Sequence, residues 1–498
     1  MNKEDFSELA RQSPKGIIIN YFFLLYKTGK FFLVFIPLVL TSNKEHQFEK
    51  IVYTFIALTV VILIVALLQF FFFKFKIEND HFILNQGVFF KKKSSIPFDR
   101  IQNVNFKQNL VHQIINVTQV EIQTAGAKEV EVSIKAISRK KAEALKARLQ
   151  QGVTVVSEVE EEEANVPKSK VLFKLSFLEL LKVSLSENHV KSFFWIFAIT
   201  SSLFWQFEDL LKDYNLLPKL LKFYQDNESM VRGSVQLIFL LSTFVVFFSI
   251  IISFFRVFLK HFDQKISVLN DGIQLSQGFF TKRDDVLKMN KIQYITVVTN
   301  PLKKSLGIQS VKVNQAGSAK TKAKKRIEIV GVNNEVLNSL KTFFFGNKSE
   351  EEKKEFRPAP YYLFKLFLYS FYTLFTLNVL MWLVSFPFKF QLLITVVLIA
   401  FTIVINLLKY KKAYYDIEDK KLIVGAGSVA TVTSIMDYYK MQNIKLVQSF
   451  IQKRRGVASV HLQTASGVIK MPSLYEEDAI ELMQMILEEA CNSKKNWI

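Results

Sequence analysis

Four stretches of the chain carry no charged residue over a length that decides where they can go: Ile51 to Phe73, Val235 to Phe255, Leu366 to Phe388 and Phe390 to Leu408. A hydrocarbon core ~30 Å thick takes about 20 apolar residues in a helix, and each run meets that need or nearly does. A soluble fold would have to bury all faces of four such helices, so the runs predict membrane spans. Two weaker runs join them. Ser192 to Phe207 is short, and the first, within Ile17 to Thr41, contains Lys27 and Lys30, whose stems must snorkel to an interface. Six spans then fall into three hairpins, and every long connecting region lies on one face of the membrane.

Charge tells which face. The net charge of +21 sits beside a composition that is 50% hydrophobic with 49 phenylalanines, and the basic residues concentrate between hairpins. Lys74 to Gln150 holds 14 Lys/Arg against 7 Asp/Glu, and Lys260 to Gly346 holds 15 against 6. The opposite loops are balanced or acidic: Ser42 to Lys50 has two of each sign, and Gln206 to Gly233 has four basic and five acidic residues. The positive-inside rule therefore expects the N-terminus and the large connecting regions in the cytoplasm. The polar first 16 residues and the lack of a small-residue cleavage site predict no cleaved signal peptide. A single cysteine, Cys491, excludes an intramolecular disulfide framework or a cysteine zinc cluster.

The connecting regions repeat. RIQNVNFKQNLVHQIINVTQVEIQTAG from Arg100 returns without gaps as KIQYITVVTNPLKKSLGIQSVKVNQAG from Lys291 and KMQNIKLVQSFIQKRRGVASVHLQTAS from Lys440. Gln102, Gln293 and Gln442 align, as do Thr124, Gln315 and Thr464, and as do Asn116, Gly307 and Gly456. Gly126 and Gly317 align with Ser466, and upstream Gly87, Gly278 and Gly427 each precede the glutamine by 15 residues. Each copy starts directly after a span pair with alternating β-branched segments around Asn79-Asp80, Asn270-Asp271-Gly272 or Glu418-Asp419, which read as hairpins. Each ends in a helical segment, clearest from Ser473, where Ser-x-x-Glu forms a capping-box pattern.

About seven short strands closed by one helix outline a small α+β barrel or sandwich. The stretch IPFDRIQNVNF, the turn before a V-x-V-x-Q/T-A-G strand and the preceding pair of hydrophobic helices resemble the bacterial pleckstrin-homology (PH) domain proteins of the second family. The whole chain resembles their YdbT-like membrane proteins, which alternate span pairs with such domains. The resemblance implies a PH-like barrel for each connecting region; it implies no reaction, since that family is defined by sequence and fold. The full expectation is a membrane α-helical protein of six transmembrane helices in three hairpins, plus three repeated α+β PH-like domains. The segments read as 1–73 for the N-terminus and first pair, 74–150 for domain 1, 151–170 for an acidic linker, 171–260 for the second pair, 261–346 for domain 2, 347–360 for a charged linker, 361–409 for the third pair and 410–492 for domain 3.

No catalytic constellation emerges. LIVGAGSVA, Leu422 to Ala430, imitates the start of a dinucleotide fingerprint, but its repeat counterparts LNQGVFFKK and LSQGFFTKR read as strand-turn-strand. The six histidines do not recur at aligned positions, and no metal, cofactor or enzymatic role is expected. The remaining candidates are basic clusters at hairpin ends and turns: Lys91, Lys92 and Lys93; Lys282 and Arg283; Lys303 and Lys304; Lys453, Arg454 and Arg455. Near an anionic leaflet each cation contributes ~1 kcal/mol, so these clusters are candidate contacts for lipid headgroups or a protein partner; orientation and solubility would equally explain lysines here. Nucleic acid is not expected. The sequence thus favours a non-enzymatic protein of the bacterial cytoplasmic membrane whose domains scaffold a complex or engage the leaflet, with a smaller PH-domain membrane protein or a second copy as partner. The alternative, a six-span transporter or permease component with regulatory domains, lacks intramembrane ionisable residues in the confident spans.

Overall fold

The computed structural model describes residues 6–32, 47–88, 90–124, 132–151, 170–187, 189, 229–269, 272–316, 327–346, 354–383, 385–418 and 421–492. The expected span Ser192 to Phe207, the second half of the expected first span, Gly126, Gly317, most of the acidic linker and the first half of the charged linker lie outside them.

Three copies of one domain are present, matching the sequence repeat. In domain 1, β2 (Lys74–Glu78), β3 (His81–Gln86) and β4 (Lys92–Pro97) form a meander, and a 3-10 turn at Phe98–Arg100 leads to a second meander of β5 (Ile101–Gln108), β6 (Thr118–Thr124) and β7 (Val132–Ile137). The short helix α3 (Leu110–Ile114) joins β5 to β6, and α4 (Arg139–Gln151) closes the domain. Asn79 and Asp80 turn the first hairpin with φ of 49° and 58°, values that short polar side chains tolerate. Strict alternation in β6 buries Thr118, Val120, Ile122 and Thr124 on one face. Ala142, Leu145 and Leu149 of α4, spaced three and four apart, cover that face. Each buried Leu or Ile contributes about 1.5–3 kcal/mol.

Domain 2 repeats the plan with β9 (Lys265–Leu269), β10 (Gly272–Gln277), β11 (Lys282–Lys288), β12 (Ile292–Thr299), β13 (Gln309–Gln315) and β14 (Ile327–Val332). Domain 3 uses β16 (Tyr414–Glu418), β17 (Lys421–Gly427), β18 (Thr431–Asp437), β19 (Met441–Val447), β20 (Val457–Thr464) and β21 (Gly467–Tyr475). Their closing helices, Asn334–Phe345 and Glu476–Asn492, bury Leu337, Leu340 and Phe344, and Ala479, Leu482 and Ile486, at the same spacing. LIVGAG lies in β17, a strand and not the opening of a helix.

Two features exceed the repeat. A strand from the chain ahead of each domain's apolar segment joins the first sheet: β1 (Ala10–Arg11) pairs with β2, β8 (Lys170–Lys174) with β9, and β15 (Lys354–Phe356) with β16. Each domain thus takes in chain from both sides of the apolar segment that precedes it. More consequential, neighbouring domains share sheets. β5 of domain 1 pairs antiparallel with β11 of domain 2, and β12 of domain 2 pairs antiparallel with β18 of domain 3. Two seven-stranded sheets result, in orders β7-β6-β5-β11-β10-β9-β8 and β14-β13-β12-β18-β17-β16-β15.

Four described helices are long and apolar enough to cross a membrane, their qualifying segments being Phe55–Phe72, Thr243–Lys260, Tyr361–Leu383 and Phe388–Lys411. They belong to α5 (Gln47–Phe72), α6 (Ser229–Lys260), α7 (Tyr361–Leu383) and α8 (Phe388–Lys411). The run expected as the first span overlaps α9 (Gly16–Phe32), which is not among these four. In the α7–α8 hairpin the polar residues pair with one another. Gln391 Nε2 donates to Asn378 Oδ1 at 3.1 Å, Thr395 Oγ1 to the same oxygen at 2.8 Å, and Asn406 Nδ2 to Ser370 Oγ at 2.8 Å.

Candidate functional site: a basic and apolar rim

The repeated turns gather at one end of each domain, beside its apolar helices. The first-sheet tips turn on Gly87, Gly278 and Gly427, whose φ values of 110°, 109° and 117° are open only to glycine. A Cβ there would lie 1.9 Å from Phe90 O, 2.2 Å from Thr281 O and 2.0 Å from Ala430 O. In domain 2 the tip is tied to the end of α6: Gly278 N donates to Phe262 O, Phe279 N to Leu259 O, and the Phe262 and Phe279 rings are 5.1 Å apart. In domain 3, Lys412 just beyond α8 donates from Nζ to Val429 O at 2.8 Å.

The second set of turns contains the short helices α3, α10 (Pro301–Ser305) and α11 (Phe450–Arg454). Asn109, Asn300 and Ser449 occupy one repeat position and cap them, each side chain accepting from the backbone N–H three residues on. Asn116, Gly307 and Gly456 leave them at φ of 55°, 69° and 59°. His112, Lys303 and Gln452, again one repeat position, are buried and pin each helix down. His112 Nε2 bonds Lys135 O at 2.9 Å, Lys303 Nζ donates to Ser310 Oγ at 2.8 Å, and Gln452 Nε2 donates to Ser459 Oγ at 3.0 Å. Burial holds the His112 imidazole below its ordinary pKa.

Each short helix meets the chain leading into the apolar segment ahead of its own domain. Lys15 Nζ donates to Ile115 O at 2.9 Å, one residue ahead of α9. Lys303 forms an ion pair with Glu187 at 2.5 Å, just past the helix Phe177–Ser186. The Arg455 guanidinium lies over the Tyr361 and Phe364 rings, 5.7 and 5.2 Å from their centroids, in the first turn of α7.

The basic residues named from sequence therefore divide. Lys91, Lys92, Lys93, Lys282, Arg283, Lys304, Lys453, Arg454 and Arg455 are exposed on this rim, with Arg454 over the Phe450 ring at 4.3 Å. Lys303 is withdrawn: its side chain is 5% exposed and both of its described partners are internal, so it is a structural cation. Among the signature residues Thr124 and Thr464 are buried at the ends of β6 and β20. Gln293 is buried and accepts from Ala465 N of domain 3 at 3.3 Å, whereas Gln442 is exposed.

Sequence reasoning missed the apolar half of the rim. Phe90 is 91% exposed and Ile114 80%, and Phe450, Leu302 and Val429 follow at 70, 59 and 50%. They sit among the cations at the tips and on the short helices. A signal was present in the repeat alignment for Leu302, which aligns with Val111 and Ile451, and for Val429, which aligns with Phe89 and Phe280, whereas Phe90 and Ile114 align with small or polar residues.

Comparison with known proteins agrees with this architecture. The chain is 26% identical over 495 residues, 95% of its length and 94% of the relative's, to the UPF0699 transmembrane protein YdbT of Bacillus subtilis strain 168. The model of the bacterial PH domain matches three times, at residues 30–153, 230–344 and 371–490, each match taking in span residues as well as one domain. With more than half of the chain matched and three PH-like folds observed, the protein belongs to the bacterial PH domain family and is a membrane protein of it.

Proposed function

We propose that the protein is a non-enzymatic integral component of the bacterial cytoplasmic membrane, whose three domains lie in the cytoplasm against the inner leaflet as one strand-linked binding and assembly platform. The carrying observation is the rim: basic and exposed apolar residues share the end of each domain from which the apolar helices leave. Aromatic and aliphatic tips reach the headgroup boundary while neighbouring cations meet anionic lipid, each contributing ~1 kcal/mol. The pairing of Asn378, Gln391 and Thr395 inside the α7–α8 hairpin supports a structural use of those polar groups over a transport path.

The test uses the full-length chain carrying Cys491→Ser and Phe90→Cys, spin-labelled at residue 90 and placed in nanodiscs. With anionic lipid the label should be immersed at the headgroup level, and Lys91→Ala, Lys92→Ala and Lys93→Ala together should reduce that immersion. A label equally water-exposed in anionic and zwitterionic discs would overturn the reading.

A further inference from the structure

The two joints between domains are copies of one joint. Phe106 stands opposite Asp284 in the first, and Val297 opposite Thr433 in the second. Phe106 and Val297 each lie four residues after the aligned glutamine of their domain, and Asp284 and Thr433 each lie nine residues before the aligned glutamine of theirs. The register is the same. Side chains reinforce both joints: Asn105 Oδ1 accepts from Val286 N at 3.3 Å, and Thr296 and Ser434 hydroxyls meet at 3.3 Å. Arg139 adds an ion pair to Asp284 at 3.1 Å, and Gln113 donates to the Phe279 and Phe280 carbonyls at the tip.

A joint of this kind uses the fourth strand of one six-stranded domain and the third strand of the next, so three domains in a row leave one of each unused. The leftovers are β19 and β4. Among the described residues β19 pairs only with β20, and β4 only with β3. The outer edges at the other end of the second sheets are closed locally: Ser13 N donates to Ala136 O, Gln264 exchanges two bonds with Val330, and Ala359 N donates to Ser473 O. The positions that the joints bury are open on β19. Ile295 and Val297 are buried in β12, but their counterparts Ile444 and Leu446 are half-buried, and Val447 is 39% exposed. A seven-residue uncovered edge with apolar side chains is a template for another strand.

We infer that β19 of one chain receives β4 of a second copy in the same register, so that the row of domains continues from chain to chain. Lys93 then stands opposite Leu446, Lys92 opposite Val447 and Lys91 opposite Gln448, by the same four-and-nine offset. A second copy fits because continuity is built in: the step from domain to domain repeats twice within the chain, and a copy added by that step brings its apolar helices to the same side as the first. The interface is heterologous, since a fourth-strand edge meets a third-strand edge, and it generates rings or rows of copies. Cations on both sides, Lys91 to Lys93 and Lys453 to Arg455, make this the weakest of the joints and one that salt strengthens. The inference rests on the observed strand pairing and is independent of lipid binding by the rim.

The experiment mixes two full-length chains in lipid nanodiscs or mild detergent at about 1 M salt, where the screening length is ~3 Å. Both carry Cys491→Ser; one carries Val447→Cys and the other Lys92→Cys, and a short bismaleimide is added. A product of twice the chain mass should form in the mixture and be absent from either chain alone. Both substitutions are at exposed positions, so folding is not at stake. Products from either chain alone would indicate a two-fold contact and overturn the inference. A mixture that yields only uncrosslinked chains, monomeric by mass photometry, would overturn it as well.

Discussion

At the scale of residues, identity recurs where backbone geometry or burial demands it and drifts where only a bond is needed. Gly87, Gly278 and Gly427 are invariant among the copies because a Cβ would strike a carbonyl oxygen. Gly278→Ala is therefore expected to lower the melting temperature of the full-length protein by several degrees, corresponding to about 1–3 kcal/mol of strain. The buried position held by His112, Lys303 and Gln452 shows the opposite behaviour, three chemistries performing one pinning task. That is why histidines failed to align in the sequence although one of them sits at a repeated site. His261 offers a pH test. It is buried, bonded through Nδ1 to Gln277 Oε1 at 2.8 Å, and burial pushes its pKa down to about 4. Its folded value lies below the unfolded ~6.5, so the neutral form is favoured in the fold and stability is lost as pH falls from about 6.5 toward 4. Melting at pH 5 against pH 7 should show a loss of about 2 kcal/mol from this group, and His261→Asn should flatten that part of the slope.

At the scale of elements, alternation, turn residues and helix stripes made the strands, the closing helices and four apolar helices legible in the sequence. The α7–α8 hairpin illustrates this, since length and the absence of charge sufficed. The short helices α3, α10 and α11 were not seen as helices, being only five residues long, too short for an apolar period to register. Their aligned caps were the available signal. Removing one, as in Ser449→Ala, should cost about 1 kcal/mol and be measurable as a lowered melting temperature. In the hairpin, Asn378→Leu removes the acceptor shared by Gln391 and Thr395. A loss of about 1 kcal/mol or less in unfolding from detergent is expected, with the hairpin retained.

At the scale of the molecule, the repeat predicted three domains but not that they are joined edge to edge. A strand edge has no sequence signature beyond its alternation, and the partner strand lies well over a hundred residues away in the chain, as Phe106 and Asp284 do. The strands contributed by β1, β8 and β15 were hidden for a related reason: each is separated from its partner strand by a long apolar segment of the chain. Of the rim, the cations were readable as clusters, whereas the apolar tips gained meaning only when the fold placed them beside α6, α7 and α8.

The central claim is that strand pairing welds the domains into one body, and amide hydrogen exchange of the dilute, monomeric full-length protein tests it most directly. β18 has neighbours on both edges, while β4, its repeat counterpart, has one and serves as the internal control. The account predicts slow exchange throughout residues 431–435, which pair on both edges, and fast exchange for about half the amides of residues 92–96, those pointing away from β3. If β18 exchanged with the same fast half as β4, the domains would be separate bodies and the account would be contradicted.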